Sequence, residues 1–167
     1  MKLDQIAYAV YDDEEESRLK RALGLADKEW IRDYVIAESV VHFPDTGRQL
    51  KIERQTAILQ FNYDLGIELE ILRYTNMHES FNILSPMAWM NGGESLFISH
   101  QGFHLEEGED FPTMDGFPLV QETWTKSHTS DFLNNPQSRG YGRTYHYRIH
   151  QLSPGTVVKF IKRIEPK

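Results

Sequence analysis

The sequence contains no cysteine. That absence excludes disulfides, thiolate metal ligands and a cysteine nucleophile. No apolar run approaches the roughly 18 residues of a membrane span. The opening Met1-Lys2-Leu3-Asp4-Gln5 has no basic stretch followed by an apolar one, so no secretory leader is expected. A cytoplasmic location follows as the expectation. Positive charge is also scarce: Lys and Arg total 18 against 25 Asp and Glu, a net charge of −7. That balance argues against nonspecific binding to nucleic acid. Neither nucleic acid nor membrane is an expected partner. The nucleophile-elbow, P-loop, dinucleotide-fingerprint, HExxH and EF-hand patterns are all missing. Trp30, Trp89 and Trp124 show no repeating placement, which gives a base-stacking platform little support.

What is present fits one domain over residues 1–167, long enough to bury a real core, with a hydrophobic fraction of 40%. Leu3 to Tyr11 reads as a strand, with Leu3, Gln5, Ala7 and Ala9 on one face and Ile6, Tyr8 and Val10 on the other. Asp12 or Asp13 caps a helix to about Leu23, with Leu19, Ala22 and Leu23 as its buried stripe. Strands follow at Trp30 to Phe43, Gln49 to Asn62 and Ile67 to Tyr74. Asn76 to Glu94 is a connector ending in Asn91-Gly92-Gly93, which divides module one (1–75) from module two (96–167). The second half reads as a strand at Leu96 to Leu105 and a helix at Glu106 to Gly116, which Pro112 and two glycines make short or irregular. Three more strands follow at Phe117 to Thr125, Thr144 to His150 and Thr156 to Ile164. Lys126 to Gly142 is a long polar loop, the kind that carries function.

The two halves repeat one another. Asp4-Gln5-Ile6-Ala7-Tyr8-Ala9-Val10 lies over Ser99-His100-Gln101-Gly102-Phe103-His104-Leu105, each followed by an acidic pair. Gly66-Ile67-Glu68-Leu69-Glu70-Ile71-Leu72-Arg73 lies over Gly155-Thr156-Val157-Val158-Lys159-Phe160-Ile161-Lys162. A repeated unit outranks local propensity in choosing a fold. Asp115-Gly116-Phe117-Pro118 and the closing Gly142-Arg143-Thr144-Tyr145-His146-Tyr147…Ser153-Pro154-Gly155 fall in matching order. Over nearly its whole length the chain resembles the vicinal oxygen chelate superfamily, the group of glyoxalases, bleomycin-resistance proteins and extradiol dioxygenases. The resemblance implies an α+β fold: two paired βαβββ modules forming a curved mixed sheet around a cup.

It also implies a metal site with one ligand from the first and last strand of each module, which nominates Gln5, Glu70, His100 and Lys159. Imidazole, carboxylate and amide oxygen suit a divalent transition metal such as Zn, Fe, Mn or Ni. A charged lysine has no lone pair and cannot ligate. Two outcomes are open. A metal binds through Gln5, Glu70 and His100 with Lys159 turned aside, or Lys159 supplies the positive charge itself and pairs with Glu70. An ammonium about 4–6 Å from a dication costs several kcal/mol, which favours the second.

Other polar groups accompany this set. His104 shares a strand face with His100 and lines the same cup on this reading. Glu68 shares a face with Glu70 and exchanges roles with it if the register shifts by two; its ordinary expectation is a solvated glutamate. His128, beside hydroxyls at the start of the long loop, is a candidate general base or lid contact, against a plain surface histidine. Arg143, Tyr145 and Tyr147 alternate along one strand face and suit an acidic, aromatic or phenolic ligand; His146, Arg148 and His150 take the other face. Arg139, Arg143, Arg148, Lys159, Lys162 and Arg163 gather near the C-terminus, as a solvated sheet edge or an anion-binding face.

Three functions remain in play. One is a metal-assisted lyase, isomerase or dioxygenase on a small oxygen-rich substrate, with Glu70 as ligand or base and Gln5 and His100 holding the ion. The second is a metal-free small-molecule-binding (sequestration) protein whose cup is closed by a Glu70–Lys159 pair. The third is a partner protein that kept the fold and lost the site. Whether the chain is an enzyme is left open. The resemblance further implies a homodimer.

Overall fold

The computed structural model describes residues 3–10, 12–75, 97–129, 144–154 and 156–164, with backbone alone at 97–99, 128 and 129. Eight strands and one helix are found among them, in the order β1 (Gln5–Ala9), α1 (Asp13–Ala22), β2 (Ile31–Phe43), β3 (Arg48–Asn62), β4 (Glu68–Tyr74), β5 (Phe97–His104), β6 (Leu119–Thr129), β7 (Thr144–Ser153) and β8 (Thr156–Ile164). No helix among the described residues is long and apolar enough to cross a membrane.

The strands close into a barrel with the order β1-β4-β3-β2-β6-β7-β8-β5. Each half of the chain contributes one run of four strands, and both runs share one internal plan. The first strand pairs in parallel with the last of its own half, β1 with β4 and β5 with β8. The halves then join antiparallel at β1–β5 and at β2–β6.

The register carries the duplication down to single residues. Gln5 faces Gly102 and Ala7 faces His100 across β1–β5. In the sequence overlay Gln5 matches His100 and Ala7 matches Gly102, so the two pairs exchange under a two-fold rotation. Ala7 pairs with Glu70 on one side, and Gly102 with Lys159 on the other. A self-complementary contact of this kind is what a two-fold axis between the strands requires.

The helix begins where the sequence predicts. The Asp12 carboxylate accepts from the Glu15 backbone N–H at 2.8 Å, and four acidic residues occupy the first turn. Leu19 packs with Val10 and Ile71, and Tyr8, Leu23 and Trp30 adjoin them, so α1 covers the outer face of β1 and β4. Ala22 is not part of this stripe: it is exposed, and Glu15 is buried instead.

Two expectations need correction. The second half has no counterpart of α1: Glu106 to Gly116 forms turns. Gly108 and Gly116 sit at φ 85° and 82°, outside the right-handed helical region. Pro112 between them removes a backbone donor. The polar loop also starts later than expected, because β6 continues to Thr129 and pairs Ser127 with Ala37 and Thr129 with Ile36. The connector at 76–94 and most of that loop lie outside the described residues.

Candidate functional site

Strand alternation sends one residue in two into the barrel. On the four adjacent strands β4-β1-β5-β8, the inward positions include Glu68, Glu70, Gln5, His100, Gly102 and Lys159. The four positions nominated by the resemblance are therefore neighbours, drawn from both halves. Gly102 makes this possible. A Cβ on it would lie 2.9 Å from the Cβ of Gln5, so the Gln5 side chain crosses β5 only because none is there.

A hydrogen-bonded chain orders the first three groups. The Gln5 amide donates through Nε2 to Glu68 Oε1 at 2.6 Å, and Tyr63 Oη donates to Glu68 Oε2 at 2.7 Å. Gln5 Oε1 lies 3.0 Å from His100 Nε2. A carboxylate only accepts, so Glu68 turns the amide NH2 of Gln5 toward itself and its carbonyl toward His100. His100 Nε2 must then carry the ring proton. Burial, then the Lys159 ammonium and His104, hold His100 well below the usual imidazole range, so the ring is neutral. Glu68, expected as a solvated side chain, is 3% exposed and orients its neighbours.

Glu70 sits beyond this chain. Its Oε2 lies 3.8 Å from His100 Nε2 and is buried with no hydrogen-bond partner among the described residues. Burial raises its pKa to about 7, against the opposing pull of Lys159 and with a further push from Glu68. Lys159 is lowered by burial and raised by Glu70 and Glu68. Its Nζ stands 4.5 Å from the centre of the Tyr147 ring, a cation–π contact. No ion pair or hydrogen bond to Lys159 is found among the described residues. The expected Glu70–Lys159 pair is thus an electrostatic coupling rather than a salt bridge.

Tyr147 is 6% exposed and packs with Ile149, Val157 and Ile161, with Tyr145 against the same cluster. His104 spends Nδ1 on Asp4, at 3.0 Å. Arg143 lies outside the described residues, as does the side chain of His128, whose backbone lies within β6, one residue before its end. The basic residues near the C-terminus do not form one face. Lys159 points inward, while Arg148 and Lys162 lie over Phe111 on the outside, at 4.6 and 5.0 Å.

The sequence reading missed three contributors. Tyr63 orients Glu68 across the β3–β4 turn. Tyr74 is held well above the usual phenol range by burial, then by Tyr147 and Glu70, against a hydrogen bond from Gln55. Its signal was available, since it lies four residues after Glu70 on the same strand face. The third is Gly102, whose need for hydrogen at Cα shows only once Gln5 is placed opposite.

The donor set does not fit a divalent ion as it stands. His100 Nε2 does lie 3.0 Å from Gln5 Oε1 and 3.8 Å from Glu70 Oε2. Ligands of one ion with bonds of about 2.1 Å stand roughly 3–3.5 Å apart. Two features oppose it. His100 offers a proton rather than a lone pair at Nε2, and the fourth position holds an ammonium coupled to both Glu70 and His100. Among the described residues no group of three or more His, Asp or Glu side chains is placed to hold a metal.

No family profile matches the chain, and no curated protein matches it. Among solved structures it is similar to a selenomethionine methylmalonyl-CoA epimerase, at 13% identity and a TM-score of 0.43, covering 98% of this chain and 95% of that one. A likeness of that size decides neither the site nor the activity.

Proposed function

We propose that the barrel interior binds a small, oxygen-rich anionic molecule without a metal, held by Lys159 and Glu70. One observation carries this reading: an ammonium and a carboxylate oxygen, neither with a hydrogen-bond partner among the described residues, face the same interior. Both groups gain from a ligand. A carboxylate or phenolate satisfies Lys159, and a hydroxyl or acid proton satisfies Glu70 Oε2. With its pKa at about 7, Glu70 takes or gives a proton near neutrality. Tyr147 and Tyr74 supply aromatic walls. The resemblance to the vicinal oxygen chelate superfamily agrees with this use of the interior and rests on the repeat.

Thermal unfolding with added benzoate or salicylate, against benzamide as a neutral control, tests the reading. Both acids are expected to raise the melting temperature, benzamide is not, and Lys159→Met abolishes the difference. Equal shifts in wild type and Lys159→Met would remove Lys159 from the site and the reading with it.

A second reading, metal-assisted lyase, isomerase or dioxygenase chemistry, draws on the convergence of Gln5 Oε1, His100 Nε2 and Glu70 Oε2. It requires the proton of His100 to leave Nε2 and Lys159 to turn away.

A further inference from the structure

We infer that Lys159 is the built-in cation of a four-position nest on the two-fold axis of the barrel, and that replacing this one side chain with a donor opens the nest to a metal ion. The inference rests on the metal-free reading above and extends it to why no ion is needed.

The geometry is that of a site assembled by symmetry. Gln5 and His100 occupy equivalent positions in the two halves, and so do Glu70 and Lys159. The register brings them together in pairs, Gln5 opposite Gly102 and Ala7 opposite His100, with Ala7 beside Glu70 and Gly102 beside Lys159. The small residues at 7 and 102 leave the space that the four longer side chains fill. Around His100 Nε2 stand two further donor-type atoms, Gln5 Oε1 at 3.0 Å and Glu70 Oε2 at 3.8 Å. The fourth brings a positive charge that acts on both Glu70 and His100.

The charge count explains the arrangement. Glu68 and Glu70 are both buried in this wall, 3% and 6% exposed. Two carboxylates in one low-dielectric wall need a counter-charge. Val157, the counterpart of Glu68 in the second half, is apolar, so Lys159 is the residue of that half that meets the need. An ammonium and a dication in the same nest repel each other, so the side chain and the ion are alternatives.

Cobalt(II) titration followed by visible ligand-field absorption tests this directly. Wild type, Lys159→His and Lys159→Glu are compared, with melting curves as a check on folding. Wild type is expected to show no His100-dependent bands. Both variants are expected to saturate at one ion per chain, roughly a hundredfold tighter or more, the scale on which loss of a single supporting group already moves metal affinity. Adding His100→Ala to either variant should erase the bands. Cobalt uptake by wild type as tight as in the variants, and lost with His100→Ala, overturns the inference. So does the absence of binding in folded Lys159→His or folded Lys159→Glu, because the three remaining donors then do not form a nest. The wild-type arm is decisive whether or not a variant folds. The benzoate experiment stands apart: anion binding can survive a failed cobalt test, and a silent benzoate test leaves the cobalt result readable.

Discussion

The two halves of this barrel share a backbone plan and differ in what they place on each side of it. On the outside, the first half lays an α-helix across its sheet, with Leu19, Val10 and Ile71 forming a buried apolar cluster. The second half covers the corresponding face with turns. There Phe111 meets His146 edge-on at 4.7 Å, while Trp124 stacks on the same imidazole at 4.5 Å. Glu122 binds both His146 and Arg148, each at 2.8 Å. On the inside, the first half offers Glu68 and Glu70 where the second offers Val157 and Lys159. The lesson is that the fold depends on pairing and alternation, which tolerate these changes. On the function proposed above, the chemistry lies in the positions where the two halves differ in charge.

Three experiments press on that comparison. The largest effect is expected from the covers. Leu19→Ala should cost about 2–5 kcal/mol, because it empties a buried helix–sheet contact. Phe111→Ala should cost about 1–2 kcal/mol, because partly exposed cation–π and ring contacts are weaker. Urea unfolding measures both, and equal losses would mean that the two covers contribute alike.

The second experiment addresses the charges inside. Glu70 has its folded pKa raised from 4.5 to about 7. The native state therefore binds more protons than the unfolded chain between those values, and stability falls as pH rises through that window. The loss attributable to Glu70 approaches about 3 kcal/mol. Glu70→Gln should flatten the slope of unfolding free energy between about pH 4.5 and 7, read from denaturant curves at stepped pH. An unchanged slope would contradict its buried position beside Lys159 and Glu68.

The third is the smallest and the most local. Ala7 and Gly102 are equivalent positions, and at Gly102 the Gln5 side chain lies where a Cβ would stand. Gly102→Ala should cost about 1–3 kcal/mol and displace Gln5 from His100. The His100 imidazole signals in an NMR spectrum report that displacement. A neutral substitution would show that Gln5 reaches His100 by another path.

Much of this was legible in the residues. Period-two alternation put Gln5, Ala7 and Ala9 on one face of β1 and Tyr147 with Tyr145 on one face of β7, as the barrel has them. The repeat foretold the matched positions of Gln5 with His100 and Glu70 with Lys159. The second helix was misread because an acidic opening resembled that of α1, while Gly108, Pro112 and Gly116 spoke for turns. Glu68 was misread because a glutamate at a strand start is ordinarily wet. The hydroxyl of Tyr63 and the amide of Gln5 help to make its burial tolerable.

By itself the sequence determined where most strands run, which residues share a face of each, and that the two halves repeat one plan, because alternation and repetition are local properties of a chain. Only the tertiary structure decided who meets whom. Gln5 finds Glu68 across 63 residues and His100 across 95. Which atom carries a proton, and which charge answers which, is set by strand pairing over those distances and by burial from water, and neither is written in any single segment.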